Sequence, residues 1–238
     1  MQNEIYQNTS NNTCWLNQLK GKEVTEWSNF WYDHANEKVN ERILLVDDSI
    51  ARQIRRSLSE TLERPCDLFA SSAALRDAMY WDQWECFFKN GLYKYDVIFV
   101  WIGNHSRISE DGQSFFTDYD YSRFRKDFTF LLCQCMLRSS KVFVLSTLHM
   151  YKTRKYNPYI ERVRRKLCIK PKEILIDIEN RIVEGKNFIM REIASEKGVC
   201  FYDIDKQLMN SKFWHTDFIH YIPESNKFVC ELLRGLLQ

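Results

Sequence analysis

Short apolar, mostly branched runs alternate along the chain with stretches whose apolar positions recur every three to four residues. Five runs, at 43–46, 66–70, 96–102, 141–146 and 199–203, read as strands. The run at 96–102 is the clearest, apolar on both faces as in an inner parallel strand. Helical patterns follow the strands. Ile50, Ile54 and Leu58 mark one after the first strand, and 73–88, 122–137 and 173–197 mark three more. Gly198 stops the fourth of these, and Pro223 opens a closing helix to Leu237. Strand and helix alternate throughout, which predicts an α/β fold, a three-layer α/β/α sandwich around a five-stranded parallel sheet. Before the first strand, Trp15, Leu16, Leu19, Val24, Trp27, Phe30 and Trp31 predict one or two helices laying an aromatic face on the main domain. The chain thus divides into a polar tail with a helical extension, 1–42, and a main domain, 43–238.

Composition narrows the class. A chain of 238 residues, 45% hydrophobic and 15% aromatic, can bury a large core and does not have the make-up of a disordered chain. The net charge of +2 points to neither a nucleic-acid nor a membrane partner. No apolar run approaches the roughly 20 residues that span a bilayer, and the first residues are polar and Asn-rich, so a cytoplasmic protein without a leader is expected. The eight cysteines lack zinc-ligand spacing and read as free thiols in a reducing compartment, with no metal and no cofactor expected. One segment departs from this balance. Between Lys152 and Lys172 there are nine basic residues against the single acid Glu161. It reads either as a solvated helix face or as a rim that attracts an anionic substrate.

Candidate chemistry begins where the first strand breaks, at Asp47-Asp48-Ser49. In a parallel sheet the carboxyl ends of the strands form the mouth where ligands bind, and Ser49 stands there at the start of a helix. The acidic pair is shared with response-regulator receiver domains. A receiver, however, needs a phosphate-accepting Asp where this chain has Trp101, and a Lys-Pro after the fifth strand that is missing here. Ser49 also matches the nucleophile of the Gly-Asp-Ser block of SGNH (GDSL-type) hydrolases. Gly103-Asn104 matches their Gly-x-Asn-Asp block, and Asp217-Phe218-Ile219-His220 their closing Asp-x-x-His. The chain therefore resembles an SGNH hydrolase over about 43–237.

That resemblance implies the SGNH hydrolase fold, of flavodoxin-like type, and a Ser-His-Asp triad of Ser49, His220 and Asp217. A serine hydroxyl needs a base to take its proton, and an Asp three residues before the His can fix the imidazole's tautomer. The implied oxyanion hole comprises the Ser49 N–H, the Asn104 amide, Gly103 and Ser72, which aligns with the family's second block, where a glycine usually offers an N–H donor. Three departures stand out. Asp47 replaces a glycine, no glycine occurs between Arg64 and Asn90, and His105 stands where the family commonly has Asp. His34, His149 and His215 belong to no recognisable constellation, although His149 follows the fourth strand toward the mouth. The implied activity is hydrolysis of an O-acyl ester, an O-acetyl ester of a carbohydrate by analogy. Water as acceptor makes an esterase; a sugar hydroxyl makes an O-acyltransferase drawing on acyl-coenzyme A. A non-catalytic binding module on the same fold is the alternative of another class. The expected partner is a small-molecule or glycan ester, anionic if the basic segment rims the pocket, with no nucleic acid.

Overall fold

The computed structural model describes residues 27–38, 41–92, 94–105, 120–151, 157–169, 172–213 and 215–238. Its strands, β1 (Ser28–Trp31), β2 (Ile43–Asp47), β3 (Cys66–Ser71), β4 (Val97–Trp101), β5 (Lys141–Leu145) and β6 (Cys200–Tyr202), form one sheet in the order β1-β3-β2-β4-β5-β6. Helices α1 (Ser49–Leu62), α2 (Ala78–Asn90), α3 (Tyr121–Met136), α4 (Pro158–Lys166), α5 (Lys172–Glu196), α6 (Ile204–Met209) and α7 (Ser225–Gly235) complete the described elements.

Side chains alternate across a strand, so each inner strand feeds two cores. Leu44 and Val46 of β2, with Ile98 and Val100 of β4, face a layer built from α2, α3 and α5 and filled by Trp84, Phe87, Phe124 and Phe128. Ile43, Leu45, Phe99 and Trp101 face the other layer, where Ile50, Ile54 and Leu58 of α1 meet Val229 and Leu233 of α7. This is the expected α/β/α sandwich, and strands β2 to β6 are parallel.

The sheet has six strands rather than five, and the sixth corrects the reading of the N-terminal segment. Residues 28–31 are not helical but pair antiparallel with β3, Ser28 opposite Ser71 and Trp31 opposite Leu68. Alternation, not helical spacing, governs here. Phe30 stacks on Phe69 at 5.6 Å and Tyr32 on Phe87 at 5.0 Å, two residues apart on one face of the sheet. The strand covers the open edge of β3, whose N–H and C=O groups would otherwise lack partners. The turn that follows is tied down at the opposite end of the sheet from the mouth. Buried Asp67 accepts from the Asp33 N–H (2.8 Å), Arg42 (3.1 Å) and the Tyr95 hydroxyl (2.9 Å). The rest of the expected helical extension, 14–26, lies outside the described residues.

Candidate active site

Register brings three of the expected site positions to one level. Asp47 of β2 pairs with Ala70 of β3 on one side and with Trp101 of β4 on the other. Ser49, Ser72 and Gly103 each stand two residues beyond those paired positions, at the carboxyl mouth of the sheet. Ser49 is the first residue of α1, because Asp48 caps the helix by accepting from the Ile50 N–H at 3.1 Å. The Ser49 N–H consequently has no role in the helical ladder and points from the positive end of the helix dipole.

The last loop delivers the histidine. It closes on itself through the His215–Tyr221 bridge and the bond from the Thr216 N–H to the His220 carbonyl (2.7 Å). Within it, Asp217 Oδ1 accepts the N–H groups of Ile219 and His220, each at 2.8 Å. Its Oδ2 accepts from His220 Nδ1 at 2.7 Å. Burial pushes the Asp217 pKa up, but the two backbone donors and the imidazole outweigh it, so the carboxyl sits below its ordinary value. A carboxylate only accepts, so His220 Nδ1 carries the proton and Nε2 is left with a lone pair. That lone pair faces the Ser49 hydroxyl, 2.7 Å away. Serine, imidazole and carboxylate thus form a continuous chain of hydrogen bonds, an arrangement able to move a proton off the hydroxyl.

Gly103 has φ +127°, a region that disfavours side chains, and a Cβ there would meet Thr147 Oγ1 at 2.2 Å. Asn104 follows it, half-buried. Ser72 is placed at the mouth but is engaged elsewhere. Its N–H donates to the Trp27 carbonyl at 3.0 Å, and its hydroxyl accepts the Trp27 N–H at 2.7 Å. The antiparallel edge strand, invisible in the reading of 14–40 as helix, takes the very donor that the second block was expected to offer. A small, partly open cleft lies beside these segments, lined by Asp48, Ser71, Leu75, Tyr80, Gly103 and His105.

Several supports were not legible as site residues. Lys186, buried in α5, donates from Nζ to the Gly103 carbonyl at 2.5 Å and so fixes the Gly103–Asn104 peptide. Asn187 clamps Thr147, accepting its N–H (2.8 Å) and donating to its carbonyl (3.0 Å), and the Thr147 hydroxyl donates to the Ile102 carbonyl at 2.6 Å. The one sequence signal was Gly185 inside a helix. A Cβ there would lie 2.6 Å from the Tyr121 ring, so the glycine lets α5 close on α3 and carry Lys186 to the sheet. His149 pairs with buried Asp205, Nδ1 to Oδ2 at 2.6 Å, and its N–H donates to Oδ1 at 2.9 Å. His215 lies between Tyr151 and Tyr221, with ring centroids 4.3 and 3.9 Å away, and burial there pushes its pKa down to about 4. Neither touches the serine; both brace the loops around it, as does the Tyr151 N–H bonded to the Phe218 carbonyl at 2.9 Å.

A six-stranded α/β/α sheet with such a mouth is the fold of SGNH, or GDSL-type, hydrolases. No protein-family model matches the chain, and no curated protein matches it by sequence. Among solved structures, a GDSL-like lipase from Bacteroides thetaiotaomicron superposes with a TM-score of 0.56 at 11% identity, over 82% of this chain and 87% of that one. A catalytic mutant of an acetylxylan esterase from Geobacillus stearothermophilus gives 0.56 at 13%, over 84% and 96%. An alpha/beta hydrolase from the metagenome of Lake Arreo, Spain, gives 0.54 at 14%, over 84% and 96%. At these identities the likeness is one of fold.

Proposed function

We propose that the protein is a serine-dependent hydrolase of short O-acyl esters, acetyl esters of a carbohydrate in particular. The observation that carries this is the chain Ser49 Oγ, His220 Nε2, His220 Nδ1, Asp217 Oδ2, each link 2.7 Å, at the mouth of a parallel sheet. His220 takes the hydroxyl proton as Ser49 Oγ bonds to the ester carbonyl carbon, and Asp217 holds the imidazolium that forms. The Ser49 N–H and the Asn104 amide face the oxyanion. The carbon–oxygen bond to the alcohol then breaks, with the leaving oxygen taking the proton from His220. Water, deprotonated by His220, attacks the acyl-serine; the acyl–oxygen bond breaks, Ser49 Oγ takes the proton back from His220, and the acid is released. Acetylxylan esterases and lipases with the same fold lend the substrate class by analogy.

A second reading, a binding module on the same fold, is favoured by the Ser72 N–H already bonded to Trp27, which removes one of the expected oxyanion donors. Labelling with a fluorophosphonate probe separates the two. The hydrolase reading expects wild type to label, Ser49→Ala and His220→Ala not to, and wild type to release acetate from an acetylated oligosaccharide. Folded wild type that neither labels nor turns over would leave the binding module standing. Donor turnover that rises with an added sugar acceptor, with acetyl appearing on the acceptor in place of free acetate, would reassign the enzyme to acyl transfer.

A further inference from the structure

Helix α4 inverts the rule that the other amphipathic helices obey. Helix α1 turns Ile50, Ile54 and Leu58 into the core. In α4 and the turn after it, Tyr159, Ile160, Val163 and Leu167 are 75%, 56%, 56% and 65% exposed, and no described side chain of the helix enters either core. At 100° per residue these four fall within an arc of about 100°. Arg162 and Lys166, both exposed, border one side of that arc, and half-buried Arg164 borders the other.

The helix is well specified locally. Asn157 caps it by accepting the Tyr159 N–H at 2.9 Å, Pro158 occupies its first turn, and Arg164, Arg165 and Lys166 sit at its negative end. Even so, nine residues with no buried face make a marginal helix in water. An apolar arc with exposed Arg162 and Lys166 along its border matches a surface that is apolar beneath and anionic on top. That is the chemistry of a bilayer containing acidic phospholipid. A nucleic acid would use the arginines and leave the aliphatic arc wet. A second copy of the chain would oppose like charges across the contact.

We propose that α4 docks this protein on anionic membrane surfaces, lying in the interface with Tyr159, Ile160, Val163 and Leu167 in the acyl boundary and Arg162 and Lys166 among lipid phosphates. No described helix is long and apolar enough to cross a membrane. The helix also leaves the sheet at its mouth end. Asn157 follows six residues after Tyr151, whose N–H is bonded to the last loop, a reach of at most about 20 Å. A docked α4 therefore holds the cleft near the lipid surface, whether or not Ser49 is active.

Co-sedimentation with vesicles of equimolar phosphatidylcholine and phosphatidylglycerol tests this, with phosphatidylcholine alone as control. Wild type should partition onto the anionic vesicles, less so at high salt, and stay off the neutral ones. R162Q/K166Q should weaken partition by about thirtyfold, from the usual contribution of each basic residue near an anionic surface. I160S/V163S/L167S should weaken it at least tenfold, with thermal midpoints unmoved because the replaced side chains are exposed. In a Tyr159→Trp variant the indole should shift to the blue on anionic vesicles and be quenched by brominated lipid. No partition, or partition that both variants retain, overturns the proposal. So does a wild type that ignores vesicles but forms a dimer dissociated by I160S/V163S/L167S, or that binds single-stranded RNA undiminished by that variant.

Discussion

Two His–Asp pairs stand in this molecule with nearly the same bond, 2.7 Å between His220 and Asp217 and 2.6 Å between His149 and Asp205, and they have opposite settings. Asp205 is buried, receives the His149 N–H, and is further tied down as its own N–H donates to the Ser146 hydroxyl (2.9 Å). Asp217 is half exposed on a loop. The remaining nitrogen of His149 faces Glu184 at 3.7 Å; that of His220 faces a serine hydroxyl at 2.7 Å. His149 is drawn toward its charged form, its bond to Asp205 outweighing burial with help from the charges of Asp205 and Glu184. The pair alone is not a catalytic sign. What the imidazole's second nitrogen faces decides whether the proton is held or handed on.

The sharpest break of the comparison is at the serine side. Ser49→Ala and His220→Ala should each lower kcat/KM on an acetyl ester by about 10⁴-fold or more, with thermal midpoints unchanged. Asp217→Asn should cost roughly 10³–10⁴-fold, because the amide leaves the imidazole in the wrong tautomer. Asp205→Asn should do the reverse. It should leave kcat within about tenfold and lower stability by about 2–3 kcal/mol in urea titrations, the range for losing a buried charge-assisted bond. Equal kinetic damage from both Asp→Asn changes would erase the distinction.

Titration gives a finer test. The folded pKa of His149 is raised, so its contribution to stability is fully present below its ordinary value of 6.5 and is lost as pH rises through the folded value. Asp217 runs the other way, with a contribution present above its ordinary value of 3.8 and lost as pH falls through the lowered one. Urea midpoints measured against pH should lose the neutral-to-alkaline slope in His149→Gln and the acid slope in Asp217→Asn. A third titration concerns His215. With a folded pKa of about 4, it stays neutral while the unfolded chain takes up a proton below 6.5, so it lowers stability from there down to about 4. His215→Phe should flatten that interval alone.

The inner strands and long helices were legible because each carries its own signal. Strand β4 is apolar on both faces, and α5 keeps its period from Lys172 to Glu196 with Gly198 after it. Ser49, Asp217 and His220 could be singled out because short motifs mark them, and the structure brings their side chains into one hydrogen-bonded chain. Strand β1 could not be read. Its four residues, Ser28-Asn29-Phe30-Trp31, are extended because β3 offers an open edge, a condition set by residues some forty positions away. The engagement of Ser72 follows from that strand and was hidden with it. Lys186 and Asp205 look like ordinary helix residues until packing shows one holding the Gly103 carbonyl and the other holding His149.

The serine and the histidine that meet at 2.7 Å are 171 positions apart, whereas His220 and Asp217 are three apart. Closing the long loop costs about 4–5 kcal/mol of chain entropy by the usual logarithmic law, against about 1 kcal/mol for the short one. The carboxylate and imidazole can therefore find each other early, in a fragment. The hydroxyl joins them only when α1 and α7 pack side by side. During refolding, probe labelling of Ser49 should lag behind the recovery of helical circular dichroism; labelling that rises with it would mean the two ends meet first. A reactive Ser49 would thus serve as a clock for one late event in the fold, the meeting of α1 with α7, the first and last of the described helices.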